Sequence, residues 1–109
     1  SVPYVVGGTK RVVIVEDCMS AAVVAQEIPG GSGMAIMGTS LSDGQKNFIV
    51  RQEYECIVVA LDPDALPKTI SMSKELRNVA ENVRVLKLKD DLKYRNLEDI
   101  YKLENVLWN

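Results

Sequence analysis

The sequence predicts an α/β domain: about four mainly parallel strands sandwiched by helices. Two observations predict it. Short apolar runs rich in β-branched residues recur at 11–15, 34–37, 56–61 and 83–88. Between them lie longer stretches with helical spacing or helix-start chemistry, and strands alternating with helices imply βαβ units. The length of 109 residues, with 47% hydrophobic and 26% charged side chains, suits one domain with one core, over 1–109.

Each element has its own signal. The start, Ser1-Val2-Pro3-Tyr4-Val5-Val6-Gly7-Gly8-Thr9-Lys10, reads as a short edge strand and a turn, and its Gly7-Gly8-Thr9-Lys10 end superficially resembles a phosphate loop. That turn precedes a strand, whereas a phosphate loop follows one, so it carries no functional weight. Arg11-Val12-Val13-Ile14-Val15 is the first internal strand, and Asp17 is placed to cap a helix over 19–27. Pro29-Gly30-Gly31-Ser32-Gly33 turns the chain into a second strand at 34–37. Ser42 with Gln45 has the form of a capping box for a helix ending near Glu53. The run Cys56-Ile57-Val58-Val59-Ala60-Leu61 reads as a strand buried on both faces. After a loop containing Pro63 and Pro67, an amphipathic helix is expected over 70–79. Residues 83–88 alternate as a fourth strand, and Asn96 caps a last helix over 97–103. Val106-Leu107-Trp108 then packs back on the body or faces an interface.

Asp62-Pro63-Asp64 is the centre of the functional reading. Proline biases Asp62 toward extended backbone, and residues two apart in an extended segment point the same way. Two carboxylates about 4 Å apart repel by roughly 4 kcal/mol at an effective dielectric near 20. A hard divalent cation is the obvious means of offsetting that. In open parallel sheets the ligand site lies outside the carboxyl ends of the strands. Glu16 and Asp17, Gly38-Thr39-Ser40, Asp62 and Asp64, and Asp90 and Asp91 each follow a strand, so all are expected on that one edge. Some also suit plain structural work: Asp17 as a cap, Thr39 and Ser40 as turn residues, Asp90 and Asp91 as a solvated charge cluster.

Composition excludes several classes. Histidine is absent, which removes imidazole bases, zinc-histidine sites and serine-histidine triads. Cys18 and Cys56 lack the spacing of a zinc site and are expected as buried, reduced thiols. A formal net charge of -2 gives no overall basic field, so contact with a polynucleotide needs a local patch, a metal ion or another domain. No apolar run approaches the ~18 residues of a membrane span.

Taken in order, Val12-Val13-Ile14-Val15-Glu16, Gly38-Thr39-Ser40-Leu41-Ser42, Asp62-Pro63-Asp64 and Lys89-Asp90 resemble the toprim domain. The narrower likeness is to that domain in bacterial and phage DNA primases and primase-helicases, and it covers 11–91. The resemblance implies a Rossmann-like toprim fold and metal-dependent nucleotidyl transfer, making RNA primers on single-stranded DNA from nucleoside triphosphates. It implies Glu16, Asp62 and Asp64 as catalytic residues. It also implies Mg²⁺ or Mn²⁺ held by Glu16, Asp62, Asp64 and Asp90, with Asp91 second to Asp90. Gly38, Thr39, Ser40, Lys87 and Lys89 would contact nucleotide or template phosphates. A fused or associated replicative helicase and a cytoplasmic location, the host's if viral, follow from the same likeness.

The chain departs from the pattern at Asp17, where the family often has Gly, and at Ala65-Leu66-Pro67, where it often has Ala-Gly. A diverged viral member fits these departures, and the chain is expected to be a piece of a longer primase that primes poorly alone. Two alternatives stay open. A response-regulator receiver domain also has an acidic pair after its first strand and a phosphoacceptor where Asp62 falls. A toprim nuclease or a non-catalytic toprim module shares the fold.

Overall fold

Val12, Val13, Ile14 and Val15 are all at most 1% exposed, because the strand carrying them has a neighbour on each side and helices on each face. A computed structural model describes residues 3–38 and 40–109. In it the chain runs β1 (Tyr4–Val6), β2 (Arg11–Val15), α1 (Cys18–Glu27), β3 (Ser32–Ala35), α2 (Asp43–Gln52), β4 (Cys56–Val59), α3 (Leu66–Leu76), β5 (Val83–Val85), a 3-10 turn (Leu92–Tyr94) and α4 (Leu97–Trp108). The sheet order is β1-β3-β2-β4-β5. β3, β2, β4 and β5 are parallel, and β1 lies antiparallel on the β3 edge.

Strand alternation divides the core in two. Val13, Val15, Val58 and Ala60 face α1 and α4, packing with Val24, Leu103 and Leu107. Val12, Ile14, Ile57 and Val59 face α2 and α3, packing with Ile49, Met72 and Leu76. Each fully buried aliphatic side chain contributes roughly 1.5–3 kcal/mol relative to exposure. From β2 the chain passes outward to β3, then crosses back to β4 on the other side of β2. The strand order therefore reverses between β2 and β4, and open α/β sheets place their ligand crevice at such a reversal.

Several boundaries differ from the sequence expectation. β3 begins at Ser32, inside the expected turn, and ends at Ala35. Gly33 pairs with both Val6 and Val13 there. A Cβ on it would meet the Ala21 backbone at 2.3 Å, so the missing side chain lets α1 lie against the strand. α3 starts at Leu66 rather than Ile70, since Pro67 sits in its first turn, where a missing N–H costs nothing. It ends at Leu76 rather than Val79. α4 continues past Leu103 to Trp108. Leu107 is fully buried, and the Trp108 indole donates to the Pro29 carbonyl at 2.9 Å, so this segment packs back on the body. β4 and β5 stop at Val59 and Val85, where their ladders end.

The cysteine expectation holds for Cys56, which is buried, and is corrected for Cys18. Cys18 opens α1 and is only partly covered, with its Sγ 3.4 Å from Met37 Sδ. No helix among the described residues is long and apolar enough to cross a membrane. The capping box is present in full: Gln45 N–H donates to Ser42 Oγ at 3.1 Å, and Ser42 N–H donates to Gln45 Oε1 at 2.9 Å. Ser42→Ala removes one of these and is expected to cost about 1 kcal/mol, read as a lower urea midpoint with an unchanged m-value.

Candidate functional site

The carboxyl edge between β2 and β4 is assembled from backbone outward. Glu16 follows the last residue of β2, and its carbonyl accepts from Met37 N–H at 3.1 Å. Ile36 N–H donates to Val15 O at 3.1 Å, so the segment after β3 is clamped to the one that carries Glu16. Met37 takes a left-handed backbone (φ 49°), uncommon for a non-glycine residue. Asp17 caps α1 through Ser20 N–H, at 2.8 Å. Asp62 and Asp64 lie between β4 and α3, where Ala65 N–H donates to Asp62 O at 2.9 Å.

The electrostatics of Asp62 show what surrounds it. Burial first, and then the negative charges of Glu16, Asp91, Asp17 and Asp64, push its carboxyl up to about 6. Residues from three strand ends thus act on one group. Two ion pairs stand against them. Lys68, in the first turn of α3, reaches Glu16 at 3.9 Å, and Lys93 reaches Asp91 at 3.5 Å. The charge of Asp91 first, then that of the ionisable Tyr94 phenol and more weakly that of Asp17, raise the Lys93 ammonium above its ordinary value.

The sequence singled out Asp90 ahead of Asp91. The structure turns the Asp90 carboxylate to Asn96, whose Nδ2 donates to it at 2.7 Å, and it brings Asp91 into the field of Asp62. The loop is held by Asp99, 1% exposed, whose two oxygens accept from Lys89 N–H and Asp90 N–H at 2.9 and 3.0 Å.

The phosphate candidates fall into two places. Ser40 lines a cavity of about 290 Å³ with Lys68, Ser71, Met72 and Glu75. Gly38 is exposed beside it, and Thr39 lies outside the described residues. Lys87 and Lys89 are instead on the far side of the acidic edge, lining a groove of about 520 Å³ with Pro63, Leu88, Glu98 and Lys102. Sequence reasoning passed over Lys68 because the helix was placed at 70, leaving that lysine in a loop. Its position four residues after Asp64 was the available signal, once Pro67 is read as a first-turn residue.

Whether these acids fit a metal is a question of donor chemistry. Among the described residues no three His, Cys, Asp or Glu side chains stand close enough to hold an ion as a ready-made cage. Mg²⁺ asks for less: one or two carboxylates, retained waters and substrate phosphates. A half-buried carboxylate raised to about 6 by burial first and then by four neighbouring acids fits that demand, because a cation relieves the repulsive part of that shift. Comparison with protein-family models, with curated proteins and with solved structures finds no match to this chain.

Proposed function

We propose that the β2–β4 edge is a magnesium- or manganese-dependent phosphoryl-transfer site, and that the chain is a toprim domain of the DNA primase type. The observation that carries the reading is a half-buried Asp62 at the strand-order reversal, on which the charges of Glu16, Asp91, Asp17 and, least, Asp64 all act. Asp62 and Asp64 would hold the metal, with Glu16 as a further ligand or as general acid/base, and Asp91 or Asp90 closing the acidic set. Bound there, Mg²⁺ supplies charge stabilisation at phosphate oxygens and a more acidic attacking hydroxyl.

The chain's own residues do the positioning. Lys68 holds the Glu16 carboxylate toward α3 and offers a cation beside it. Ser40 and Ser71 line the cavity together with Lys68, a setting suited to a nucleoside triphosphate. The buried Asp99 keeps the 89–91 loop at the edge of the site. Single-stranded DNA is the template in this reading, and a replicative helicase is its associated partner.

The receiver alternative needs a parallel strand beyond β5 followed by a lysine. Among the described residues the fifth strand is β1, antiparallel and on the opposite edge of the sheet, so this alternative has less support. The nuclease alternative shares the same acids and is separated by assay. Primer synthesis on a single-stranded template and nicking of supercoiled DNA are measured side by side, with Mg²⁺ or Mn²⁺ at low ionic strength. Metal-dependent synthesis lost in Asp62→Asn supports nucleotidyl transfer. Nicking without synthesis assigns a nuclease, and metal-independent product overturns both.

A further inference from the structure

The groove beside Pro63 has a charge unlike that of the chain as a whole. Its lining carries Lys87, Lys89 and Lys102 against one acid, Glu98, whereas the protein carries a net -2. Leu88 is buried while Lys87 and Lys89 on either side are exposed, so the two ammonium groups stand on the same side of the segment. Lys102 comes from α4, one turn beyond Glu98. Glu98 is the internal counter-ion of both flanking lysines, at 3.4 Å from Lys89 and 3.7 Å from Lys102. The three side chains are half-exposed or more, so these pairs are weak and exchangeable. Pro63, the residue between Asp62 and Asp64, also lines the groove.

From this geometry we propose that the groove binds the sugar-phosphate backbone of single-stranded nucleic acid, with Lys87, Lys89 and Lys102 as phosphate contacts and Glu98 as a competitor that the strand displaces. The inference deepens the proposed function by separating a strand-binding groove, on the β5–α4 side, from the Ser40–Lys68 cavity. Three lysines from two segments around one groove suit a polyanion with repeating charges. The adjoining acids at Asp62 and Asp64 repel that backbone and mark where it must stop or be bridged.

The test is fluorescence anisotropy of a labelled mixed-sequence oligodeoxynucleotide in EDTA, which keeps strand binding independent of metal and of catalysis. Lys87→Ala/Lys89→Ala/Lys102→Ala is expected to weaken binding at least tenfold at low salt. It should also flatten the slope of log K against log salt by about 2, from three lost contacts at roughly 0.7 each. Glu98→Gln is expected to tighten binding severalfold, a gain that misfolding cannot produce. Lys74→Ala, on the exposed side of α3, should leave it unchanged.

Equal affinity of the triple variant and the wild type overturns the proposal, as does weaker binding by Glu98→Gln. Tighter binding of a polyglutamate peptide than of the oligonucleotide, lost in the triple variant, also overturns it and assigns the groove to acidic protein segments. Binding that survives in EDTA while the acidic edge shows no metal response would sink the phosphoryl-transfer reading and leave the groove standing.

Discussion

Magnesium is expected to raise the thermal midpoint of the wild-type chain and to leave that of Asp62→Asn/Asp64→Asn unmoved. A ligand that binds only the folded state stabilises it by RT ln(1 + [L]/Kd), about 1.4 kcal/mol at a tenfold excess over Kd. For a domain of this size that corresponds to a rise of roughly 5–10 °C. The two substitutions keep the shape of the side chains and remove the charges, so the comparison isolates the carboxylates. In a catalytic assay the same double variant should lose at least about a hundredfold, since even partners behind metal ligands cost 10–100-fold.

The metal response should also shrink below pH 6, because the proton that burial and the neighbouring acids hold on Asp62 competes with the cation there. An equal rise in wild type and double variant would place the ion elsewhere. No rise with Mg²⁺ or Mn²⁺, even with nucleotide added, would remove the metal reading. A rise that requires beryllofluoride and vanishes in Asp62→Asn alone would favour the receiver.

The parallel strands and their helices were legible because they rest on local signals. Cys56–Val59 has no polar residue to expose, and Asp17, Ser42 and Asn96 each cap the helix that their chemistry announces. What was less legible depends on contacts between distant segments. Gly33 looks like a turn residue in sequence, yet its value is the room it gives Ala21, which only the packed α1 reveals. Pro67 looks like a helix stopper, yet in the first turn it lacks nothing.

The candidate site divides in the same way. That Glu16, Asp62 and the 90–91 pair share an edge follows from the βαβ rule and needs no side-chain detail. Which of Asp90 and Asp91 turns inward follows from Asn96 and Asp99, which come later in the chain and draw the loop over by hydrogen bonds. No period or propensity encodes that choice. Lys68 was hidden for a related reason: its closeness to Glu16 is a product of where α3 begins.

Asp62→Asn should make the metal-free protein more stable at neutral pH, not less. The folded state holds the Asp62 proton to about 6, whereas the unfolded chain releases it near 3.8. Between those values the folded state binds more protons than the unfolded one, so stability falls as pH rises from about 4 to about 6 and then levels. A shift of that size in a half-buried group, trimmed for solvent screening, is worth about 1–2 kcal/mol at pH 7. Asparagine removes the burden, and the variant's midpoint should exceed the wild type's by roughly 5–10 °C at pH 7 in EDTA. Well below pH 3.8 the position is uncharged in both proteins, folded and unfolded, and the gap should close.

Urea unfolding of the two proteins across that range measures it directly, because charges common to both cancel in the difference. A gap that is independent of pH would mean that Asp62 is not the titrating group. A wild type more stable than the variant at pH 7 would mean that the carboxylate is satisfied by a partner within the fold. Added magnesium supplies the decisive contrast. If the acids are kept for a cation, the ion stabilises the wild type alone and narrows the gap at pH 7, whereas an aspartate held for structure would show no such convergence.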